Sequence, residues 1–320
     1  MEKTFDLAVV GGGVLGTFHA YFALKRGLKV ALFEKNNKPV DATVRNFGQV
    51  VPSGMNAKWQ VYGRNSLQTY KYIQSEFDIS VRENGSVYIA SNDEELQLLE
   101  ELKQINRDND YLSHLLTKRE CLENYPGLRA DYVHAGLFFP REVTIEPNIM
   151  IHRLHRYLRA AGLHLYSGKQ IVECNQLLDN VKLHSSENDT FSAKKVIVCN
   201  GSDFKSLYPE LFHESNLIIS KLQMMRTRPQ PDYSLKGSIL TGLSIRRYEA
   251  FQECPSYNEI KAREYNDGSL VKKWGVHILF KQAVDGSIII GDSHEYAHVG
   301  NMEELGFHLN MDIDNFILQE

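Results

Sequence analysis

A chain of 320 residues, 42% hydrophobic and 24% charged, has ordinary globular composition and is long enough for two lobes that share one large core. Its formal net charge of −4 and pI near 6.3, without a long Lys/Arg cluster, exclude an electrostatic footprint for nucleic acid or for an anionic membrane. The apolar stretch Leu7 to Val10 is too short to span a bilayer and starts too close to Met1 for a secretory leader, so a cytoplasmic protein without a membrane span is expected.

Asp6-Leu-Ala-Val-Val-Gly11-Gly-Gly13-Val-Leu-Gly16 opens a helix-patterned run to Arg26, Gly27 ends it, and Val30-Ala-Leu-Phe-Glu34 follows. This reads as a dinucleotide-binding βαβ unit. Gly11 permits a tight turn after the strand, Gly13 lets the backbone approach a pyrophosphate, and Gly16 lets helix and strand pack closely. The phosphates would meet the helix N-terminus, and Glu34 would accept from ribose hydroxyls and disfavour a 2′-phosphate. The alternative is a purely structural strand-to-helix turn with no ligand.

Asn36 to Ala57 is irregular and polar and contains Arg45-Asn-Phe-Gly48-Gln49; a helix pattern then runs from Lys58 to about Phe77. Ser80 to Ser91 reads as strand, turn and strand around Glu83-Asn84-Gly85. Helices follow over Asp93 to Asp108 and Lys118 to Asn124, and Ala135 to Pro140 is a short strand. Pro147 starts a helix that Gly162 stops, with Ile149, Leu154 and Leu158 as its buried stripe. Strands follow at Leu163 to Ser167, Gln170 to Cys174, Asn180 to His184 and Lys195 to Cys199, the last entering Asn200-Gly201. Leu217 to Arg228, and Trp274 to Ile290 around the Asp285-Gly286 turn, predict a mostly antiparallel second sheet.

The fold class is therefore α/β, a Rossmann-like nucleotide domain interleaved with a mainly antiparallel substrate domain. Residues 1–78, 141–215 and 293–320 are assigned to the first, and 79–140 and 216–292 to the second. Cys121, Cys174, Cys199 and Cys254 are scattered, as expected for reduced, mostly buried thiols; neither disulfide nor metal site is expected.

Four segments together, the glycine triplet, Arg45-Asn-Phe-Gly48, Val196-Ile-Val-Cys-Asn-Gly201 and Gly286-Ser-Ile-Ile-Ile-Gly291-Asp-Ser-His294-Glu-Tyr296, resemble the FAD-dependent amine oxidoreductases of the glycine oxidase, sarcosine oxidase and D-amino acid oxidase family. The resemblance covers essentially the whole chain. It implies noncovalent FAD with Gly11, Gly13 and Gly16 at the pyrophosphate, Glu34 at the adenosine ribose, and Lys35 and Ile171 at the adenine. It also implies Thr43 near the pyrophosphate, where the family has serine, Arg45 and Asn46 in the loop under the flavin, and Gly201 in a turn from which Cys199 and Asn200 depart. Leu222-Gln-Met-Met-Arg-Thr227, taken with the segment after Gly291, resembles the subgroup associated with phosphonate utilisation. Relatives continue beyond the pattern of Ile313, Phe316 and Ile317, so a truncated C-terminus is expected.

The implied reaction oxidises a small anionic amine at its C–N bond, with a hydride passing to flavin and the imine then hydrolysing. An arginine fork suits the substrate's carboxylate or phosphonate. Arg226 shares a face with Leu222 and Met224 and is either that arginine or an edge residue snorkelling to solvent. Arg246 and Arg247 are read as solvated loop neighbours, with a lid role as the alternative. His277 either binds substrate or is a hydrogen-bonded half-buried histidine; His294 is the catalytic candidate, or a structural partner of Glu295 or the backbone. The other histidines are read as surface or core fillers. Sarcosine-oxidase-like relatives carry a lysine for oxygen activation, whereas Gly286 to Gly291 offers only Ser287 and three isoleucines, which leaves oxygen or another electron acceptor open. The competing readings are a nicotinamide-dependent dehydrogenase and a noncatalytic flavin-binding remnant.

Overall fold

Strand Val30–Glu34 is buried along its whole length, and most of Lys3–Val10 with it, which is the pattern of parallel strands covered on both faces. The computed structural model, which describes residues 3–264 and 270–319, places them at the centre of a six-stranded sheet. Its spatial order is His164–Ser167, Val30–Glu34, Lys3–Val10, Thr190–Val198, Val181–Ser185, Ile171–Gln176; the first four strands are mutually parallel, and the last three pair as an antiparallel meander. Helix Val14–Lys25 makes the crossover between the two central strands and packs beside helix Pro147–Ala160 on one face, over Leu7, Val9 and Leu32. Met150, Ile151, Leu154 and Leu158 are the buried stripe of the second helix, while Ile149 is only half-buried. Phe5, Ala8, Phe33 and Phe191 fill the other face.

The second sheet has seven strands in the order Ile218–Arg226, Ile288–His298, Leu279–Gln282, Ser238–Leu240, Ser86–Ala90, Ala135–Phe139, His114–Thr117. Only the contact of Ser238–Leu240 with Ser86–Ala90 is parallel. Within the stretch read as strand, turn and strand, only Ser86–Ala90 is a strand, and Arg82 makes an isolated bridge to Thr144.

Within the span 293–320 assigned to the nucleotide lobe, residues 293–298 and 311–319 instead go with the second sheet, while 299–305 lies beside Pro209–His213. Strand Ile288–His298 stays paired with Ile218–Arg226 as far as His298, and helix Met311–Gln319 buries Ile313 and Ile317 against Trp274, Val276 and Ile278. Apolar burial against the second sheet decides the allegiance of this segment. No helix among the described residues is long and apolar enough to cross a membrane.

Between the sheets runs the polar loop after Glu34. It pairs Gln49–Val50 with Val143–Thr144 and ends in the turn Pro52–Gly54. Glu142, fully buried, anchors that turn: it accepts from Ser53 N–H at 2.7 Å, from Tyr111 O–H at 2.8 Å and from the Ser86 hydroxyl.

Candidate functional site

The C-terminal ends of the two central parallel strands open into a cleft lined by Gly11, Gly13, Glu34, Lys35, Thr43, Ile171 and Gly201, so the fold brings together all but Gly16, Arg45 and Asn46 of the expected cofactor residues. A Cβ on Gly11 would stand 2.0 Å from the Cys199 carbonyl oxygen at a φ of +108°, and one on Gly16 would stand 1.9 Å from the Gly11 carbonyl oxygen. Glycine is therefore required at both for turn and packing. Gly201, at φ +61°, lines the cleft and has open space in its Cβ direction.

Glu34, Lys35, Thr43 and Asn46 each have a defined partner. Glu34 accepts from Gly12 N–H at 3.1 Å through Oε2 and from Asn36 N–H at 2.9 Å through Oε1. Thr43 Oγ1 accepts from Val14 N–H at 2.9 Å, so a hydroxyl caps one of the first amides of the helix beside Gly13. Lys35 Nζ lies 2.9 Å from Asp203 across the cleft; burial alone would raise the Asp203 carboxyl, but Lys35 and Ser206 outweigh it and hold it below its ordinary value. Asn46 folds the loop, donating to the Ala42 and Thr43 carbonyls at 3.0 and 2.8 Å and accepting from Gly48 N–H at 2.9 Å, and Arg45 is exposed. Amides and a hydroxyl beside a glycine cradle, with a buried carboxylate acceptor next to them, are the groups that a dinucleotide's diphosphate and ribose require.

Among the histidines read as fillers, His155 supports this cradle. Its Nε2 stands 2.9 Å from the Gly12 carbonyl oxygen and 3.0 Å from Thr17 Oγ1, and burial pushes the imidazole down to about 4, so it is neutral. Its place next to Leu154 in the buried stripe was the available signal.

Facing the loop from the second sheet is a second constellation. His277 and Asp292 sit opposite each other on facing backbones, linked by His277 N–H to Asp292 O at 3.1 Å and Asp292 N–H to His277 O at 2.8 Å. His277 Nε2 is 2.6 Å from Asp292 Oδ1, and the His277 and His294 rings stack at 5.4 Å. His294 Nδ1 lies 3.2 Å from the Gly275 carbonyl oxygen and donates to it, which leaves Nε2 with its lone pair. Burial pushes His294 below its ordinary value, against the pull of Asp292. Tyr248 packs edge-on against His277 at 5.5 Å and approaches Gly54 of the connecting loop.

The two candidate histidines are thus brought together, but Arg226 is not brought to them. Its guanidinium is held by Asp285 at 2.8 Å and Ser287 at 2.5 Å, at the hairpin turn, while His294 faces Leu222. The arginine beside the histidines is Arg247, read from sequence as solvated: it donates to the Gly275 carbonyl at 2.7 Å and to the Tyr296 hydroxyl at 3.0 Å. Its partner in sequence, Arg246, is bound to Glu95 at 2.7 Å instead. Gly286 to Gly291 carries no lysine, but the neighbouring strand does. Lys281, 1% exposed, donates to the Ile145 carbonyl, stands 3.0 Å from Glu146 Oε1, and lies where a Cβ on Gly48 would come within 2.9 Å of its Nζ. Burial pushes the amine below its ordinary value. A lysine alternating with Leu279 in an apolar strand was its sequence signal.

Comparison with known proteins gives one family match, DAO, FAD dependent oxidoreductase, over residues 6–312. Curated relatives include a glycerol 3-phosphate dehydrogenase of Caloramator mitchellensis, 24% identical over 91% of this chain and 56% of that protein. A glycine oxidase of Geobacillus kaustophilus is 24% identical over 63% of this chain and 56% of its own length. The chain spans little more than half the length of these relatives. Among solved structures, glycine oxidase from Bacillus cereus superposes with a TM-score of 0.73 at 18% identity, over 98% of this chain and 76% of that one. An FAD-bound L-α-glycerophosphate oxidase from Mycoplasma pneumoniae gives 0.72 at 19% identity, over 99% and 77%. At these identities the two structures show the shared fold.

Proposed function

The chain belongs to the FAD-dependent oxidoreductase family, and from that premise we propose that it oxidises a small anionic amine, an amino acid or aminophosphonate, at the C–N bond. The observation that carries this reading is that one connecting segment touches both a glycine cradle, through Thr43, and the His277, His294 and Arg247 cluster, through Tyr248, which meets Gly54 and His277. Gly11, Gly13, Gly16, Thr43 and Gly201 would hold the diphosphate of noncovalent FAD, Glu34 the ribose, Lys35 and Ile171 the adenine, and Arg45 and Asn46 the edge of the ring system. Bound FAD supplies the acceptor for a hydride from the carbon next to nitrogen.

The side chains of this protein position the substrate and manage its proton. His294 Nε2, free as an acceptor, holds or takes the amine proton. His277 orients the amine beside Asp292, whose negative charge favours an ammonium. Arg247, rather than Arg226, pairs the anionic end, because it is the guanidinium beside the histidines. The imine product hydrolyses in water. Lys281 is positioned behind Gly48, where a buried amine would favour reaction with oxygen over another acceptor.

The test is an anaerobic screen of the purified full chain. Flavin absorbance should bleach with one of glycine, sarcosine, D-amino acids or aminoethylphosphonates. Bleaching by glycerol 3-phosphate alone would move the reaction to a C–OH donor, in line with the names of two relatives. No bleaching with any of them would sink the reading.

A further inference from the structure

Three ligand-type atoms, one each from His277, Asp292 and His294, lie within 4.8 Å of one another, with His277 and Asp292 both 5% exposed. Two features separate this group from an ordinary histidine–aspartate hydrogen bond. Asp292 Oδ1 and His277 Nε2 are 2.6 Å apart, yet Oδ1 has no hydrogen-bond partner of acceptable geometry, and His277 Nδ1 is likewise buried without one. The two are close without being aligned as donor and acceptor. Ligand atoms in cis positions around a divalent transition metal, each at about 2.1 Å from it, stand about 3 Å apart in that same unaligned way. Burying a carboxylate oxygen unpartnered is costly, and a cation between Asp292 Oδ1 and His277 Nε2 would remove that cost, while Nδ1 of the same ring takes no part in it.

His294 completes the set. Its Nδ1–H is committed to the Gly275 carbonyl oxygen at 3.2 Å, the outer contact that fixes tautomer and ring orientation in metal-bound histidines and aims Nε2 at the ligand. We propose that His277, Asp292 and His294 form a divalent transition-metal site of two imidazoles and one carboxylate, with positions left open for an anion or amine. Imidazole and carboxylate together suit zinc, manganese, iron or cobalt rather than calcium. Arg247, fixed by Gly275 and Tyr296 at the rim, adds positive charge that would draw an anionic group onto the open positions. The site goes beyond the amine-oxidation reading and competes with it for one lone pair, that of His294 Nε2, so the two are separated by reading metal binding without substrate and flavin bleaching in the presence of chelator.

The experiment titrates Co²⁺ alone into the chelator-treated full chain and follows visible ligand-field absorption, with equilibrium dialysis for stoichiometry. One Co²⁺ per chain with half-saturation on the order of 10 μM or below is expected, together with an unfolding midpoint that rises with Co²⁺ concentration. His294→Gln, at a half-buried position, and Asp292→Asn should each weaken binding at least about tenfold while circular dichroism stays native. Absence of binding up to millimolar Co²⁺ overturns the site. So does binding that neither variant weakens, since the metal would then lie elsewhere.

Discussion

Replacing Glu142 by glutamine tests how the connecting loop is held. Glu142 is 0% exposed, and burial pushes its carboxyl from 4.5 up to about 7, although hydrogen bonds from Ser86, Ser53 and Tyr111 pull the other way. Between those two pH values the unfolded chain has released the proton and the folded chain still holds it. The group's contribution to stability is therefore full below pH 4.5, falls as pH rises, and levels off above about 7. A shift of that size corresponds to about 3 kcal/mol at 1.36 kcal/mol per pKa unit. Glutamine keeps the shape and an acceptor but never ionises. Well below pH 4.5 the variant would be less stable by about 1 kcal/mol, the worth of one imperfect hydrogen bond; at pH 5 it should be within about 0.5 kcal/mol of the parent and at pH 8 more stable by about 2 kcal/mol, so that the difference grows steadily from pH 5 to pH 8. Urea unfolding of both proteins at pH 5, 6, 7 and 8 measures this. Parallel curves would refute the reasoning and would mean that water or relaxation solvates the carboxylate in the folded protein.

Gly11→Ala places a Cβ 2.0 Å from the Cys199 carbonyl oxygen at φ +108°, and should cost at least about 2 kcal/mol of stability and most of the flavin retained on purification, read as flavin absorbance per chain. Thr43→Val removes the acceptor of Val14 N–H and should cost about 1 kcal/mol in urea unfolding with no flavin present. Arg247→Gln should raise KM for an anionic amine at least about tenfold with a smaller change in kcat, whereas Arg226→Gln should leave KM within about twofold; the reverse order would return the substrate role to Arg226.

The nucleotide half of the molecule was legible because its signals are local. Strand, glycine turn, helix and acidic residue occupy one continuous segment, and each glycine has a steric reason visible at its own position. What the sequence did not reveal there came from distant chain. Cys199 supplies the carbonyl that crowds Gly11, and His155 reaches Gly12 from a helix far along the chain. The allegiance of residues 311–319 was misread because adjacency to a resembled motif said nothing about which sheet the helix Met311–Gln319 would bury its apolar side against.

In the second constellation both histidines were read as candidates, but the place of Asp292 beside them escaped sequence reading for a sharper reason, a change of register. Alternation along Ile288–His298 would set Ile289 on the opposite face from Asp292 and His294. Yet Ile289 packs in the same core cluster as Leu279 and Tyr248, and Tyr248 touches His277. The ladder shows how: Ser293 pairs with Gln223 but Ile290 with Met225, so this strand carries an extra residue between them, where Gly291 has φ +115°. A bulge at this glycine turns Asp292 and His294, which share a face two residues apart, onto the side of Ile289, where His277 lies beside Tyr248. The arrangement therefore depends on Gly291 as much as on the side chains it displays, since a residue that resists positive φ would favour restoring plain alternation and turning Asp292 and His294 together away from the face of Ile289 and His277.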